Sequence, residues 1–152
     1  MIIQFITSFI ASAAFGIIFN APKETLVKCG FIGMAGWSVY YILYVRDVSS
    51  IVATLVASLV VAIISQFLAK LYKMPVIIFS VAGIIPLVPG GISYNAMRHF
   101  VENDYNTAIQ LAAKVVMLSG AIAMGLLFSE VIHQLYQKVI RRRKETTALE
   151  KD

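Results

Sequence analysis

Charged residues, cysteines and histidines are scarce in this sequence, and each shortage excludes a class of protein. Asp, Glu, Lys and Arg make up 14% of the 152 residues, whereas soluble domains average about 25%. The single cysteine, Cys29, excludes a disulfide framework, and the two histidines, His99 and His133, give no zinc-ligand spacing. A Gly-x-x-x-x-Gly-Lys-Ser/Thr run is missing too, so we predict no nucleotide site. Neither a metal nor another cofactor is expected.

Apolar residues are abundant instead. They make up 59% of the chain, and the mean hydropathy is +0.81, which is more apolar surface than a soluble domain of this size could bury. The net charge of +5 does not indicate a nucleic-acid-binding surface, because five of the 13 basic residues lie between Lys138 and Lys144. The composition therefore predicts an integral membrane protein and excludes a disordered chain or a coiled coil.

Five apolar runs are candidate membrane helices, since about 20 apolar residues cross the hydrocarbon core of a bilayer. They are residues 2–19, 29–45, 48–71, 74–100 (interrupted at 89–91) and 108–132. Because backbone polar groups exposed to lipid stay unsatisfied, we expect helices. The predicted fold is thus all-α, a polytopic membrane helix bundle. Its transmembrane domain covers residues 1–137 and its basic cytoplasmic tail residues 138–152. We expect no cleavable export signal, because no basic stretch precedes the first run.

The distribution of basic residues predicts the orientation of the bundle. With five spans and the N-terminus outside, the inner loops and the tail contain ten of the 13 basic residues, and the outer loops contain Arg46 and Arg98. Short cytoplasmic loops are enriched in Lys and Arg. We therefore predict an N-out, C-in protein.

The fourth run departs from an ordinary span. From Met74 to Val88 it would cover only about 22 Å as a helix. Its prolines remove backbone donors, its two glycines permit conformations that other residues avoid, and Ser93 could cap a second piece over residues 93–100. One interpretation is a broken helix whose second N-terminus faces an anionic part of a solute. The alternative is a simple turn at the outer surface. The candidate solute-binding residues at the break are Pro86, Pro89, Gly90, Gly91, Ser93 and Tyr94.

Lys114 is the seventh candidate solute-binding residue. It lies about two turns inside the fifth run, where a lysine costs about 2.5–3.5 kcal/mol at the bilayer centre. It shares a helix face with Ala121 and Gly125, so we expect it to point into the bundle. There it could pair with a solute carboxylate or an acidic residue of a partner. Alternatively, its long side chain reaches the outer headgroups.

Other polar and aromatic residues allow weaker predictions. Glu130, His133 and Gln137 neighbour one another on a helix and could form a proton relay or an interfacial polar patch. Ser65 and Gln66 are expected to form hydrogen bonds between helices. Trp37 is expected to pack within the bundle, and Tyr40, Tyr41 and Tyr44 to lie in an outer aromatic belt.

Small residues recur every third or fourth position in three of the runs, a spacing that lets helices approach closely. These stripes predict packing faces. They consist of Ser8, Ser12 and Gly16; of Gly30, Gly33 and Gly36; and of Ala121, Gly125 and Ser129.

Several stretches, taken in order, resemble the threonine/serine exporter family. The likeness covers about residues 2–143 and is closest to the small-subunit type, which corresponds to the C-terminal half of the fused exporters. The stretches that carry it are Phe19-Asn20-Ala21-Pro22-Lys23, the Gly36-Trp37 pair and Pro86-Leu87-Val88-Pro89-Gly90-Gly91.

The resemblance implies a secondary exporter subunit in the bacterial cytoplasmic membrane. Its solutes would be small hydrophilic metabolites such as threonine and serine, with dicarboxylates such as succinate linked to related systems. The implied partner is a larger membrane subunit carrying the other half, besides membrane lipid and, in another arrangement, a second copy of the chain. The alternative is a non-transporting assembly or stability factor for a membrane protein. We predict no enzyme, because the spans offer no nucleophile–base pair or acid cluster.

Overall fold

The computed structural model describes the backbone of residues 2–149 and the side chains of residues 2–138, and over this part the chain is helical. A short 3₁₀ turn, Ile85–Leu87, follows the fourth helix. The predicted all-α membrane bundle is confirmed. The α-helices are α1 (Ile2–Ile18), α2 (Lys23–Val45), α3 (Ser50–Tyr72), α4 (Val76–Ile84), α5 (Gly90–Val101) and α6 (Tyr105–Leu149).

Three of these helices are long and apolar enough to cross a membrane alone: α2, α3 and the Tyr105–Lys138 part of α6. The stretches Val76–Leu87 and Gly90–Val101 meet this criterion only as a pair, bent by 52°. The α1 helix is apolar but has only 17 residues. A total of five spans requires α1 to cross, so that total and the N-out, C-in orientation stay predictions.

Two helices extend beyond the predicted apolar runs. The α2 helix begins at Lys23 instead of residue 29, because Pro22 occupies its N-cap position and the Thr25 hydroxyl donates to the Pro22 carbonyl over 2.7 Å. The α6 helix continues to Leu149 instead of ending near 132. Gln, Lys, Arg and Glu are good helix formers, so loss of hydropathy does not end a helix. The side chains of the predicted tail beyond Lys138 lie outside the described residues.

Left-handed residues end four of the helices. Each has a positive φ between 53° and 64°, and each follows its helix within two residues. Such a residue terminates a helix in a tight turn, which brings the next helix back alongside it. These residues are Asn20, Asp47, Lys73 and Asn103.

The small-residue stripes lie where helices touch, as predicted. A Cβ atom added to Gly33 of α2 would collide with Ser12 of α1, and one added to Gly125 of α6 would collide with Ser58 of α3. The two serines are fully buried. Small residues therefore allow α1 and α2, and likewise α3 and α6, to approach each other closely at these points.

The hydrophobic core lies where α2, α3 and α4 meet. Phe79 of α4, Ile32 of α2 and Val61 of α3 are almost completely buried in it. Since α4 packs against both neighbours here, the end of α4 is held firmly, and the chain that follows starts from a defined position.

Two contacts show that α3 and α6 run in the same direction. The Ser58 hydroxyl donates to the Ala121 carbonyl over 3.5 Å, and the Gln66 amide donates to the Glu130 carboxylate over 3.3 Å. These pairs are separated by 63 and 64 residues, so residue numbers rise together along both helices. The segment between α3 and α6 must therefore return from the end of α3 to its beginning. It follows that α4 and α5 together traverse the bundle.

The Gln66 contact confirms a predicted hydrogen bond between helices. The same expectation for Ser65 is wrong, because the Ser65 hydroxyl donates to the Val61 carbonyl within α3 over 2.7 Å. A buried hydroxyl on a helix can satisfy itself on the preceding turn, and this competes with bonds to a neighbouring helix.

Candidate functional site

The passage between α4 and α5 is broken over residues 85–89. The Ile85–Leu87 turn follows α4, Val88 is extended, and Pro89 stands at the N-cap position of α5. The predicted interruption is thus confirmed, but it lies slightly earlier than 89–91. Gly90 and Gly91 form the first turn of α5.

The expectations about the first residues of α5 are wrong in two details. No glycine among the described residues has a positive φ, so Gly90 and Gly91 do not use the conformations reserved for glycine. Ser93 does not cap the helix but lies inside it, where its hydroxyl donates to the Pro89 carbonyl over 2.9 Å. Pro89 starts the helix earlier because its fixed φ suits a helix entrance.

A cavity of about 290 Å³ opens at the break. Its walls come from α2, α3, the broken segment, α5 and α6, and none of its lining residues is charged. The lining residues are Trp37, Tyr40, Thr54, Pro86, Leu87, Val88, Pro89, Gly91, Ile92, Asn95 and Leu118.

The cavity lies near the end of α2 and the beginning of α3. Thr54 is four residues after the first residue of α3, which places it about 6 Å inward at the rise of a helix. Trp37 lies eight residues before the end of α2, about 12 Å inward by the same measure. The break thus lies about one to two helical turns in from the ends of these helices, and the broken membrane helix and the turn at the outer surface both stay predictions.

Hydrogen-bond donors without protein partners gather at this cavity. The indole nitrogen Nε1 of Trp37 is buried and has no hydrogen-bond partner among the side chains of residues 2–138 or the described backbone. In the first turn of α5, Gly90 N–H donates to the Val88 carbonyl and Ser93 N–H to the Pro89 carbonyl. The N–H groups of Gly91 and Ile92 have no backbone acceptor among the described residues, and no side chain caps the helix.

The cavity is therefore suited to a negatively charged group. Free N–H groups and the aligned peptide dipoles place partial positive charge at the start of α5. The lining contains no aspartate or glutamate, so no carboxylate in the cavity wall neutralises this partial positive charge. The Tyr40 hydroxyl and the Asn95 amide add neutral polar groups for the rest of a small hydrophilic solute.

The structure brings only some of the predicted residues to the cavity. Pro86, Pro89 and Gly91 line it, whereas Gly90, Ser93 and Tyr94 are not among the lining residues. The reason is the rotation of α5, in which residues 91, 92 and 95 share the face toward the cavity. Tyr94 is 70% exposed on another face.

Lys114 does not line the cavity, and its side chain is exposed instead of pointing into the bundle. Ala121 and Gly125, which share its helix face, are buried against α3. The two hydrogen bonds between α3 and α6 pair residues whose numbers differ by 63 or 64. Lys114 of α6 therefore lies level with the first residue of α3, where α3 has only begun to cover α6. The position suits the headgroup alternative.

The described side chains of the predicted proton relay are not all connected by hydrogen bonds in this structure. Glu130 accepts hydrogen bonds from Gln66 over 3.3 Å and from Gln134 over 3.1 Å. His133 contacts Gln137 over 2.9 Å. No hydrogen bond connects Glu130 with His133 among the side chains of residues 2–138, so the geometry favours the interfacial polar patch.

Comparison with known proteins identifies the family. A family model described as "Threonine/Serine exporter, ThrE" matches residues 4–132. The chain belongs to the threonine/serine exporter family. This confirms the resemblance drawn from the Asn-Ala-Pro-Lys, Gly-Trp and Pro-Leu-Val-Pro-Gly stretches, and it makes this chain a multi-pass membrane protein of a transporter family.

Two relatives of this chain are longer than the chain itself. An uncharacterized protein of Haemophilus influenzae is 28% identical over 125 residues, which cover 77% of this chain and 42% of that protein. A threonine/serine exporter of Corynebacterium glutamicum is 24% identical over 123 residues, which cover 81% of this chain and 25% of that exporter. The chain thus spans less than half the length of either relative. No solved structure matches it.

Proposed function

We propose that this chain is one half of a secondary exporter for small hydrophilic solutes that carry a carboxylate, with threonine and serine as the first candidates. A larger membrane subunit would supply the other half, and the assembly would work in the bacterial cytoplasmic membrane. Membership of the exporter family supports the activity. The match to only 25% of the Corynebacterium exporter supports a partner.

One observation supports the proposal: the first turn of α5 has no side-chain cap, and its residues Gly91 and Ile92 line an uncharged cavity. Broken helices in transporters present such N-termini to anionic substrate groups. The carboxylate of the solute would accept hydrogen bonds from the Gly91 and Ile92 amides, and the buried Trp37 N–H would donate to a further oxygen.

The two-half arrangement follows from the predicted topology. A module of five spans that begins outside can pair with a module of opposite orientation, and many transporters place their solute site between two such repeats. The cavity described above would then be completed by the opposing module. Rocking of one module against the other would expose it to each side in turn.

Neighbouring glycines of α5 allow a matched test of the cavity. A Cβ atom added to Gly90 or Gly91 would meet nothing within 4 Å, and only Gly91 lines the cavity. We therefore expect Gly91→Leu to fill the cavity and abolish export, while Gly90→Leu retains it, since both changes have the same effect on helix propensity. The measurement is threonine and serine efflux from proteoliposomes containing the chain together with the membrane protein that copurifies with it.

Several results would contradict this proposal. Equal efflux by the Gly91→Leu and Gly90→Leu proteins would show that the solute does not pass through the cavity. Efflux of succinate but not of threonine or serine would reject the amino-acid assignment. If the wild-type pair transports nothing while the partner is stable only in the presence of this chain, the assembly-factor alternative is correct.

A further inference from the structure

The α4–α5 break leaves the Pro86 carbonyl without a hydrogen-bond donor. On a helix this carbonyl would accept from the N–H of the third or fourth residue after it. The third is Pro89, which has no N–H. The fourth is Gly90, whose N–H donates to the Val88 carbonyl over 2.8 Å. The two prolines and the tight turn between them therefore leave an acceptor free at the break.

The Leu87 carbonyl is in the same position. It would accept from Gly90 or Gly91, and it has no backbone donor among the described residues. The Ser93 hydroxyl donates to the neighbouring Pro89 carbonyl, but no described side chain donates to the carbonyl of residue 86 or 87. Leu87 is only 6% exposed, and a buried carbonyl without a donor is costly. A donor supplied by a ligand would remove this cost.

These two carbonyls lie where a positively charged group is favoured. Pro86 and Leu87 both line the cavity at the break, and no charged residue lines it with them. They follow the end of α4, and the end of a helix carries partial negative charge. In transporters, unwound backbone carbonyls and the C-terminal ends of half-helices hold cations.

Thr54 adds a third acceptor to the cavity wall. Its hydroxyl donates its hydrogen to the Ser50 carbonyl within α3 over 2.7 Å, so the hydroxyl oxygen can only accept from a ligand. Thr54 lines the same cavity as Gly91 and Ile92, whose N–H groups are free donors. The cavity thus offers separate acceptors and donors, as a solute with one positive and one negative group requires.

On the basis of the export proposal, we propose that the break contains a subsite for the ammonium group of an amino-acid solute. The Pro86 and Leu87 carbonyls and the Thr54 hydroxyl accept its hydrogen bonds. An ammonium group has three N–H donors and no acceptor, so three acceptors satisfy it. A dicarboxylate would bring its second carboxylate against these oxygens and would bind less tightly.

The first test supplies the missing backbone donor. Alanine at position 89 has an N–H three residues after Pro86, and the preceding residues already form such a bond, from the Val88 N–H to the Ile85 carbonyl over 3.2 Å. Pro89→Ala would therefore occupy the Pro86 carbonyl. Binding of a solute with an ammonium group should weaken roughly 10- to 150-fold, as for loss of a hydrogen bond to a charged group.

The control makes the same change at the start of another helix. Pro75 is at the N-cap position of α4, as Pro89 is of α5, and it does not line the cavity. Pro75→Ala should leave binding within about twofold of wild type.

Three radiolabelled probes separate the groups of the solute. L-serine has the ammonium and hydroxyl groups, L-alanine lacks the hydroxyl, and 3-hydroxypropionate lacks the ammonium. Their binding is measured by scintillation proximity on the purified assembly of this chain with the membrane protein that copurifies with it. Pro89→Ala should weaken binding of L-serine and L-alanine to the same extent. Binding of 3-hydroxypropionate should stay within about twofold of wild type, because no ammonium contact is lost.

A second pair of variants tests the subsite without changing the turn. Thr54→Val keeps the side-chain shape but removes the acceptor, so binding of L-serine and L-alanine should again weaken roughly 10- to 150-fold. Thr25→Val is the matched control. The Thr25 hydroxyl donates to the Pro22 carbonyl over 2.7 Å, and Thr25 is 1% exposed against 2% for Thr54, but it does not line the cavity. Thermal unfolding of each variant shows whether it is folded.

Three outcomes would overturn the ammonium subsite and leave the export proposal intact. Unchanged binding of L-serine by Pro89→Ala and Thr54→Val would exclude these acceptors. Equal weakening of 3-hydroxypropionate binding would indicate a general distortion of the cavity. Weaker binding of L-serine but not of L-alanine would assign the acceptors to the hydroxyl group of the solute.

A coupling ion is the other cation that such carbonyls hold. If the wild-type assembly binds L-serine only with Na⁺, and Pro89→Ala raises the Na⁺ concentration required, the carbonyls hold Na⁺ and the ammonium subsite is overturned. Failure of the export proposal has a different result, because the wild-type assembly would then bind none of the three probes. That result would overturn both proposals.

Discussion

The closest approach of α3 and α6 gives a sharp test of the fold that positions the cavity. A Cβ atom on Gly125 would collide with the Ser58 hydroxyl and would lie 2.9 Å from the Leu55 carbonyl oxygen and 3.0 Å from the Leu59 nitrogen. On the other hand, a Cβ atom on Gly120 of the same helix would meet nothing within 4 Å. We therefore compare Gly125→Ala with Gly120→Ala.

The size of the effect follows from these contacts. The Ser58 side chain can rotate, but the two backbone atoms cannot move unless the helices separate, and overpacking of this kind costs about 1–3 kcal/mol. Both substitutions gain the same helix propensity, about 1 kcal/mol, so the gain cancels in the comparison. Gly125→Ala should thus be about 1–3 kcal/mol less stable than Gly120→Ala. For a chain of this length the melting temperatures would differ by about 2–12 °C.

The assay is thermal unfolding of the purified variants in one detergent, followed by intrinsic fluorescence and by circular dichroism. Gly120→Ala should melt at or above the wild-type temperature, because it adds a methyl group in open space. Identical melting of the two variants would refute the close packing of Gly125 against Ser58 of α3. The same result would weaken the placement of Leu118 in the cavity wall.

Two further predictions concern single polar groups. Trp37→Phe keeps the ring but removes the buried N–H, so the apparent solute affinity in the efflux assay should fall roughly 10- to 150-fold, as for loss of a hydrogen bond to a charged group; an unchanged KM would exclude Trp37 from solute binding. Asp104 accepts a hydrogen bond from the Thr107 N–H over 3.3 Å, and its hydrogen bonds to Thr107, helped by His99, hold the pKa of its carboxyl below the usual range. Its contribution is therefore present above the ordinary Asp pKa and is lost as the pH falls through the lowered value. In thermal unfolding against pH, Asp104→Asn should lack this acid-dependent step, and an acid profile equal to wild type would contradict the assignment.

The helices of the bundle could be predicted from hydropathy, because a long apolar run in lipid has no alternative to a helix. The residues at which these helices begin and end could not be predicted from hydropathy. At Lys23 and beyond residue 132 the chain becomes polar, yet the helix continues, since termination depends on caps and left-handed residues such as Asn20 and Lys73. The break at Pro86 and Pro89 was predictable to within a few residues because proline removes backbone donors.

Most of the cavity could not be predicted, because its walls come from positions far apart in the chain. Trp37 was expected in the bundle and Tyr40 in an outer belt, and nothing in the sequence indicated that both would meet Thr54 and Leu118. A lysine in an apolar run suggested an inward-facing charge at residue 114. That inference failed because α3 begins level with Lys114 and leaves it uncovered.

The two sides of the cavity are anchored very differently. Trp37 and Thr54 belong to helices that pack into the core around Phe79, whereas α5 packs against α6 and makes no comparable contact with the other described helices. The passage through Pro86 and Pro89 ties α5 to that core directly, and α6, whose Ile122 belongs to the core, ties it indirectly. A swing of α5 about this passage would change the width of the cavity, and it would require α5 to shift against α6. A solute could then enter or leave the cavity through one small rotation of α5, and no helix would have to unfold.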